Sequence, residues 1–123
     1  LCQEHFDIDV KHVLDPTMLL LQADYDKLIG KTRTKPCEGK LMCYILDPNP
    51  QTELLIKHYE DKLGLKAYMT NSMVQNAKAG EMIQQPVEQW LRSFKDAEFV
   101  ITDSFHACVF SILFKKQFLC VLS

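Results

Sequence analysis

From Leu41 onward the chain alternates short apolar runs with longer helical patterns, and this rhythm restricts its fold more than any other feature. Leu41 to Leu46 is a continuous apolar run of strand length, closed by Asp47-Pro48-Asn49-Pro50. A strand that is apolar throughout is covered on both faces. Residues 51–63 then place Leu55, Ile56, Tyr59 and Leu63 on one stripe, and Gly64 follows as a stop, which predicts an amphipathic helix. Leu65 to Thr70 reads as a second, less apolar strand nearer an edge. The polar stretch 71–84 carries no decided pattern. Pro86 suits a first helical position, and Val87, Trp90, Leu91 and Phe94 follow with helical spacing up to Asp96-Ala97. Phe99-Val100-Ile101 is a third strand, 104–115 a nearly all-apolar helix ended by Lys115-Lys116, and Phe118 to Leu122 a fourth strand. Strands alternating with helices at these spacings predict an α/β fold, a Rossmann-like parallel sheet with helices on both faces.

Upstream, Phe6, Ile8, Val10, Val13 and Leu14 predict an extended segment ended by Asp15-Pro16, and the spacing of Tyr25, Leu28 and Ile29 predicts a short helix over about 22–29. Residues 30–40 are polar, basic and punctuated by Gly and Pro, and the domain boundary is placed in them. Residues 1–36 are thus expected to be a segment leading out of an N-terminal domain not included here, and 37–123 an incomplete C-terminal domain. The start at Leu1 and the stop at Ser123, straight after a strand pattern, support reading the chain as a fragment.

The composition excludes several function classes. With 14 Lys+Arg against 16 Asp+Glu there is no basic stripe for nucleic acid. The four glycines are too dispersed for either a dinucleotide turn or a phosphate loop. No apolar run approaches the roughly 20 residues of a membrane span, and no signal pattern opens the chain, so a cytoplasmic location is expected. Five cysteines without a C-x-x-C pair read as reduced, buried thiols, and their spacing fits no metal site.

Ligands of open parallel sheets bind outside the carboxyl ends of the strands. That rule selects the loops at Asp47-Pro48-Asn49-Pro50, at Asn71-Ser72 and at Thr102-Asp103-Ser104-Phe105-His106. The last is the richest, because Asp103 or Ser104 can cap a helix whose first amides and dipole attract a carboxylate or phosphate. His106 falls in the first turn, where the dipole favours a neutral imidazole that can exchange a proton. The same residues also fit a structural reading, with Asp103 and Ser104 as plain caps and His106 as an interior histidine. His5, His12 and His58 read as surface or packing residues, and Met69, Met73 and Met82 as core fill or loop residues.

Ile101-Thr102-Asp103-Ser104-Phe105-His106, continuing through Val109-Phe110-Ser111-Ile112, resembles the polysaccharide pyruvyl transferase family. His12 to Thr17, Tyr44 to Asp47 and Val87 to Leu91 are similar to further segments of that family in the same order. The resemblance implies the C-terminal half of a GT-B-like two-domain enzyme that moves the pyruvyl group of phosphoenolpyruvate onto two sugar hydroxyls as a ketal, in cell-surface polysaccharide synthesis. It implies His106 as catalytic residue, Asp103, Ser104, Phe105 and Asp47 as substrate-binding residues, and no cofactor besides the donor substrate. Phosphoenolpyruvate, a saccharide acceptor and the N-terminal domain are the implied partners, in a bacterial cell. The chain departs from the family where some branches carry Arg-Leu-His in place of Ser104-Phe105-His106 and where close relatives have Gly at Ala107. Arg33 and Arg92, the chain's two arginines, lie outside the motif loop. Two rival readings stay open: a glycosyltransferase donor domain using this loop for a nucleotide diphosphate, and a degenerate glycan-binding domain without catalysis.

Overall fold

A computed structural model describes residues 2–70, 73–76, 81–83 and 85–122, with side chains placed for all of these except 2, 73–76 and 81–83. Its elements in chain order are α1 (Cys2–Phe6), a 3-10 turn (Pro16–Leu19), α2 (Gln22–Gly30), β1 (Leu41–Tyr44), α3 (Pro50–Leu63), β2 (Ala67–Met69), β3 (Met73–Asn76), β4 (Glu81–Ile83), α4 (Val87–Asp96), β5 (Phe99–Thr102), α5 (Phe105–Leu113) and β6 (Gln117–Cys120). The main sheet has four strands in the order β2-β1-β5-β6, every pair parallel, with Leu41 opposite both Ala67 and Phe99 and Val100 opposite Phe118. The α/β, Rossmann-like architecture expected from the strand spacing is therefore the one the chain adopts.

Alternation along β1 distributes the core. Leu41, Cys43 and Ile45 face α3 together with Ile101, Ile56 and Tyr59. Met42 and Val100 point the other way, into a cluster with Leu91 and Phe94 of α4, Phe110 of α5 and Tyr25 and Ile29 of α2. This second core is largely aromatic. Tyr25, Trp90, Phe94, Phe110 and Phe114 meet at centroid separations of 4.7 to 6.4 Å, in edge-to-face, tilted and stacked pairs. No helix among the described residues is long and apolar enough to cross a membrane.

Local chemistry explains where the helices begin and end. Asn49 caps α3 by accepting from Thr52 N–H at 3.0 Å, Pro50 opens it, and Gly64 closes it at φ +65°. Pro86 stands one position earlier than expected, at the N-cap of α4 with an extended ψ of 144°. The helix of 104–115 is shorter than its pattern, because Phe114 already leaves helical geometry and Lys115 turns to φ +55°. Lys116 does not cap that helix through its side chain but donates to Lys95 O at the end of α4, at 3.0 Å.

Two expectations are corrected, and part of an undecided stretch takes a definite form. The chain is helical over Cys2–Phe6, where an extended segment was expected, and Phe6, Ile8, Val13 and Leu14 are exposed, so no packed partner imposes a strand period. Residues 73–76 and 81–83 form an antiparallel hairpin that the polar composition of 71–84 did not reveal. The thiols are not uniformly buried: Cys43 is, and its pKa is pushed up to about 12 by burial and the nearby Glu60 charge, but Cys37 and Cys108 are half-buried and Cys120 is exposed on the edge strand β6. The side chains of Cys2, Met73 and Met82 lie outside the described ones.

The 30–40 loop is stitched to α4 by polar contacts. Cys37 N–H donates to Asp96 Oδ2 at 3.0 Å, Arg92 Nε donates to the same oxygen at 3.2 Å, and Lys35 and Gln89 exchange two further bonds. Helix α2, before the loop, shares the aromatic core with α4 and α5, after it. Burial alone would raise the Asp96 pKa, but the Cys37 amide and the Arg92 guanidinium outweigh it and hold the carboxyl below its ordinary value. The stability that Asp96 contributes is thus complete above the range of an unfolded Asp and is lost as pH falls through the folded value.

Gly39 is required for space. A Cβ there would collide with the backbone carbonyl oxygen of Lys66, which accepts from both Lys40 and Leu41 N–H. Gly39→Ala is expected to pry β1 from β2 and destabilise the fold by about 1–3 kcal/mol, read as a lower denaturant midpoint. An unchanged midpoint would refute this account of the β1 entry.

Candidate functional site

The strand order reverses between β1 and β5: from β1 the chain moves outward to β2, and from β5 outward the other way to β6. A crevice opens at the carboxyl ends of strands at such a switch point. Here the two loops flanking it are bound to each other by the Thr102-Asp103-Ser104 stretch. Thr102 Oγ1 donates to Tyr44 O at 2.6 Å and accepts from Ser104 N–H at 3.0 Å. Asp103 accepts from Leu46 N–H through Oδ1 at 2.8 Å and from Asp47 N–H through Oδ2 at 2.9 Å. Ser104 caps α5, its Oγ accepting from Ala107 N–H at 3.5 Å. With the strand end and helix start fixed in this way, the next two side chains project outward: Phe105 is 65% exposed, and its ring lies edge-on to His106 at 5.3 Å.

His106 meets a residue from far away in the sequence. Its Nε2 lies 3.3 Å from Oδ2 of Asp15, which stands at the N-cap of the 3-10 turn. The other oxygen of Asp15 accepts from Thr17 N–H at 3.0 Å and from Thr17 Oγ1 at 2.5 Å. The turn is held in turn by α2, since Tyr25 Oη donates to Thr17 O at 2.7 Å. The Thr17 hydroxyl and amide, with a smaller contribution from His106, keep the Asp15 carboxyl below its ordinary pKa against a modest effect of burial. Burial, reinforced by the charges of Asp15 and Asp24, raises that of Tyr25.

A cleft of about 520 Å³ runs from this pair along the carboxyl side of the sheet, lined by His106, Ser104, Thr70 and Gln85 among aromatic and aliphatic walls that include Tyr44 and Trp90. The indole Nε1 of Trp90 is buried and has no hydrogen-bond partner among the described residues. Arg33 and Arg92 lie elsewhere, in a separate hollow of about 400 Å³ between α2 and α4, where Arg92 is committed to Asp96 and Thr34. The described residues contain no group of three or more His, Cys, Asp or Glu able to hold a metal ion.

The structure therefore gathers the expected residues but gives them different work. His106 and Ser104 reach the cleft. Asp103 turns both oxygens to the loop backbone rather than capping the helix, Asp47 supplies one of the amides they hold, and Phe105 stands exposed beside His106. His106 is no interior histidine, its side chain being 59% exposed. Ala107 is fully buried in the aromatic core, so its methyl fills core volume. His5, His12 and His58 are exposed, the last against Tyr59. The Asn71-Ser72 loop lies outside the described residues. From sequence Asp15 was read as the end of an extended segment and as part of a stretch similar to the family, with no role at the site. The available signal was Asp followed by Pro and Thr, the composition of a capped turn.

A Rossmann-like domain with a histidine in the cleft at the switch point belongs to the class of α/β domains that present a ligand site on the carboxyl edge of a parallel sheet. The family model described as polysaccharide pyruvyl transferase matches residues 2–123, and the chain belongs to that family. No curated protein and no solved structure matches it.

The Asp103 bridge gives a direct test of how the site is built. Asp103→Ala leaves the Leu46 and Asp47 amides to solvent and should lower stability by about 1–2 kcal/mol by chemical denaturation, with faster hydrogen exchange at those two amides. Unaltered exchange there would show that the loops hold each other by other means.

Proposed function

We propose that this chain is the C-terminal, sheet-bearing part of an enzyme that transfers the pyruvyl group of phosphoenolpyruvate to two hydroxyls of a saccharide, forming a cyclic ketal and releasing phosphate. The observation that carries the reading is the placement of His106 at the mouth of the switch-point cleft in a chain of the pyruvyl transferase family. In this reaction the methylene carbon of the donor gains a proton, which makes the central carbon electrophilic. The bond from that carbon to the phosphate oxygen breaks, and two bonds to sugar oxygens replace it. Of the two hydroxyl protons lost, one makes good the proton delivered to the methylene carbon and the other leaves with phosphate. His106 is the proton carrier. Ser104 and the first amides of α5 offer hydrogen bonds to an anion, with Phe105 and Asp47 at the rim and Asp103 holding the loop in shape.

The donor carries both a phosphate and a carboxylate, for which Arg is the usual partner. The arginines of this chain lie away from the cleft, so the remaining positive charge is assigned to a second, N-terminal domain, out of which residues 1–36 lead, in a GT-B-like arrangement. A bacterial, cytoplasmic enzyme of cell-surface polysaccharide synthesis is the setting this chemistry fits, with no cofactor besides the donor.

The test uses the intact protein. Phosphate release from phosphoenolpyruvate should depend on an added saccharide, and His106→Asn should reduce it about 10²–10⁴-fold while the melting temperature stays put. His58→Asn should be silent in both respects. Turnover of a nucleotide sugar instead would identify a glycosyltransferase donor domain. Saccharide binding without turnover of either donor would identify a glycan-binding domain.

A further inference from the structure

The geometry points to Asp15 as the positioning residue of His106: its Oδ2 holds the proton on Nε2 and leaves Nδ1 as the nitrogen that exchanges a proton in the cleft. The inference rests on the reading of His106 as proton carrier and adds which nitrogen acts and what selects it.

The two oxygens of Asp15 have separate duties. Oδ1 is taken by the amide and hydroxyl of Thr17, so the carboxylate cannot swing, and Oδ2 is the one 3.3 Å from Nε2. The burial of the pair is unequal in the sense the role requires: the Asp15 side chain is 18% exposed and that of His106 59%. The acceptor is sheltered and the imidazole is open to a ligand. The contact is not needed to hold the 3-10 turn in place, since Tyr25 already anchors the turn through Thr17 O at 2.7 Å. An ion pair with so exposed a partner also adds little to stability.

A neutral imidazole carries one N–H, and the hydrogen bond made by one nitrogen decides the state of the other. A carboxylate only accepts. With Oδ2 facing Nε2, that nitrogen is protonated in both charge states of the ring, and uptake and release fall to Nδ1. Without Asp15 the ring would divide between tautomers, and the form with a proton on Nδ1 could not accept one there.

Asp15→Asn tests the assignment, because it keeps the shape and keeps an oxygen for Thr17 but turns an amide N–H toward Nε2. In the intact protein carrying ¹⁵N-labelled histidine, observed above the imidazole titration range, His106 should be the Nε2–H tautomer in the wild type and should shift to Nδ1–H in Asp15→Asn. Phosphate release should fall on the order of 10²-fold in kcat with KM for phosphoenolpyruvate little changed. If Asp15→Asn does not fold, Asp15→Ser keeps a turn-capping oxygen without the carboxylate, and a mixture of tautomers is expected. A His106 tautomer that is the same in wild type and variant overturns the proposal, as does an Nδ1–H wild type. A tautomer shift between wild type and Asp15→Asn, with a wild type that turns over no phosphoenolpyruvate, supports the positioning role and refutes the pyruvyl-transfer reading, so the two fail separately.

Discussion

Strand β1 is the constraint on which the other elements depend. Leu41, Met42 and Cys43 have no exposed surface, so every polar group of their backbone must be satisfied inside the protein. Parallel pairing with β2 on one side and β5 on the other does this, and the entry is sealed by Lys66 O, which takes the amides of both Lys40 and Leu41. A strand buried on both faces also needs two cores. The alternation of Leu41 and Cys43 against Met42 sets one under α3 and the other under α4, α5 and α2.

From this follows the position of the site. Because the connections leave β1 and β5 in opposite directions, their carboxyl ends are neighbours with no helix drawn over the gap between them. Two adjacent loops of exposed backbone would splay, and Thr102 and Asp103 prevent this by accepting from or donating to the backbone on both sides. Rigidity at these positions lets the following residues be exposed without being mobile in direction. The motif thus divides into a part that builds, Thr102 to Ser104, and a part that faces outward, Phe105 and His106.

How far the sequence was legible follows the same division. Strands β1 and β5 were readable because burial on both faces leaves uninterrupted apolar runs, and α3 because its cap, its proline and its glycine are local signals. The β3–β4 hairpin was not, since a short antiparallel ribbon outside the main sheet needs no apolar run. The α1 helix was missed because the alternation that starts at its last residue, Phe6, and continues through Ile8 and Val10 matches a strand period although none of these side chains is buried. At the site, the loop and His106 followed from the topology rule, but the duties of Asp103 and Asp15 did not. Whether a carboxylate caps a helix, holds a neighbouring loop or faces a histidine depends on contacts spanning 56, 57 and more residues, and no local pattern encodes them.

The electrostatics of the cleft bear on how a two-walled enzyme would share its labour. Its lining among the described residues carries no Lys, Arg, Asp or Glu, only His106 with the Asp15 carboxylate behind it, while the arginines line a separate hollow. Such a wall suits a group that must pick up and give away a proton, because a dense cationic surround would depress protonation of an imidazole. The phosphate and carboxylate of a donor demand the opposite environment. Under the proposed function, separating the two onto facing domains resolves the conflict: the cations sit across the cleft, near enough to hold the donor, and the imidazole keeps the Asp15 carboxylate as its neighbour. The aromatic walls contributed by Tyr44 and Trp90 would then face the uncharged partner, whose C–H surfaces suit them.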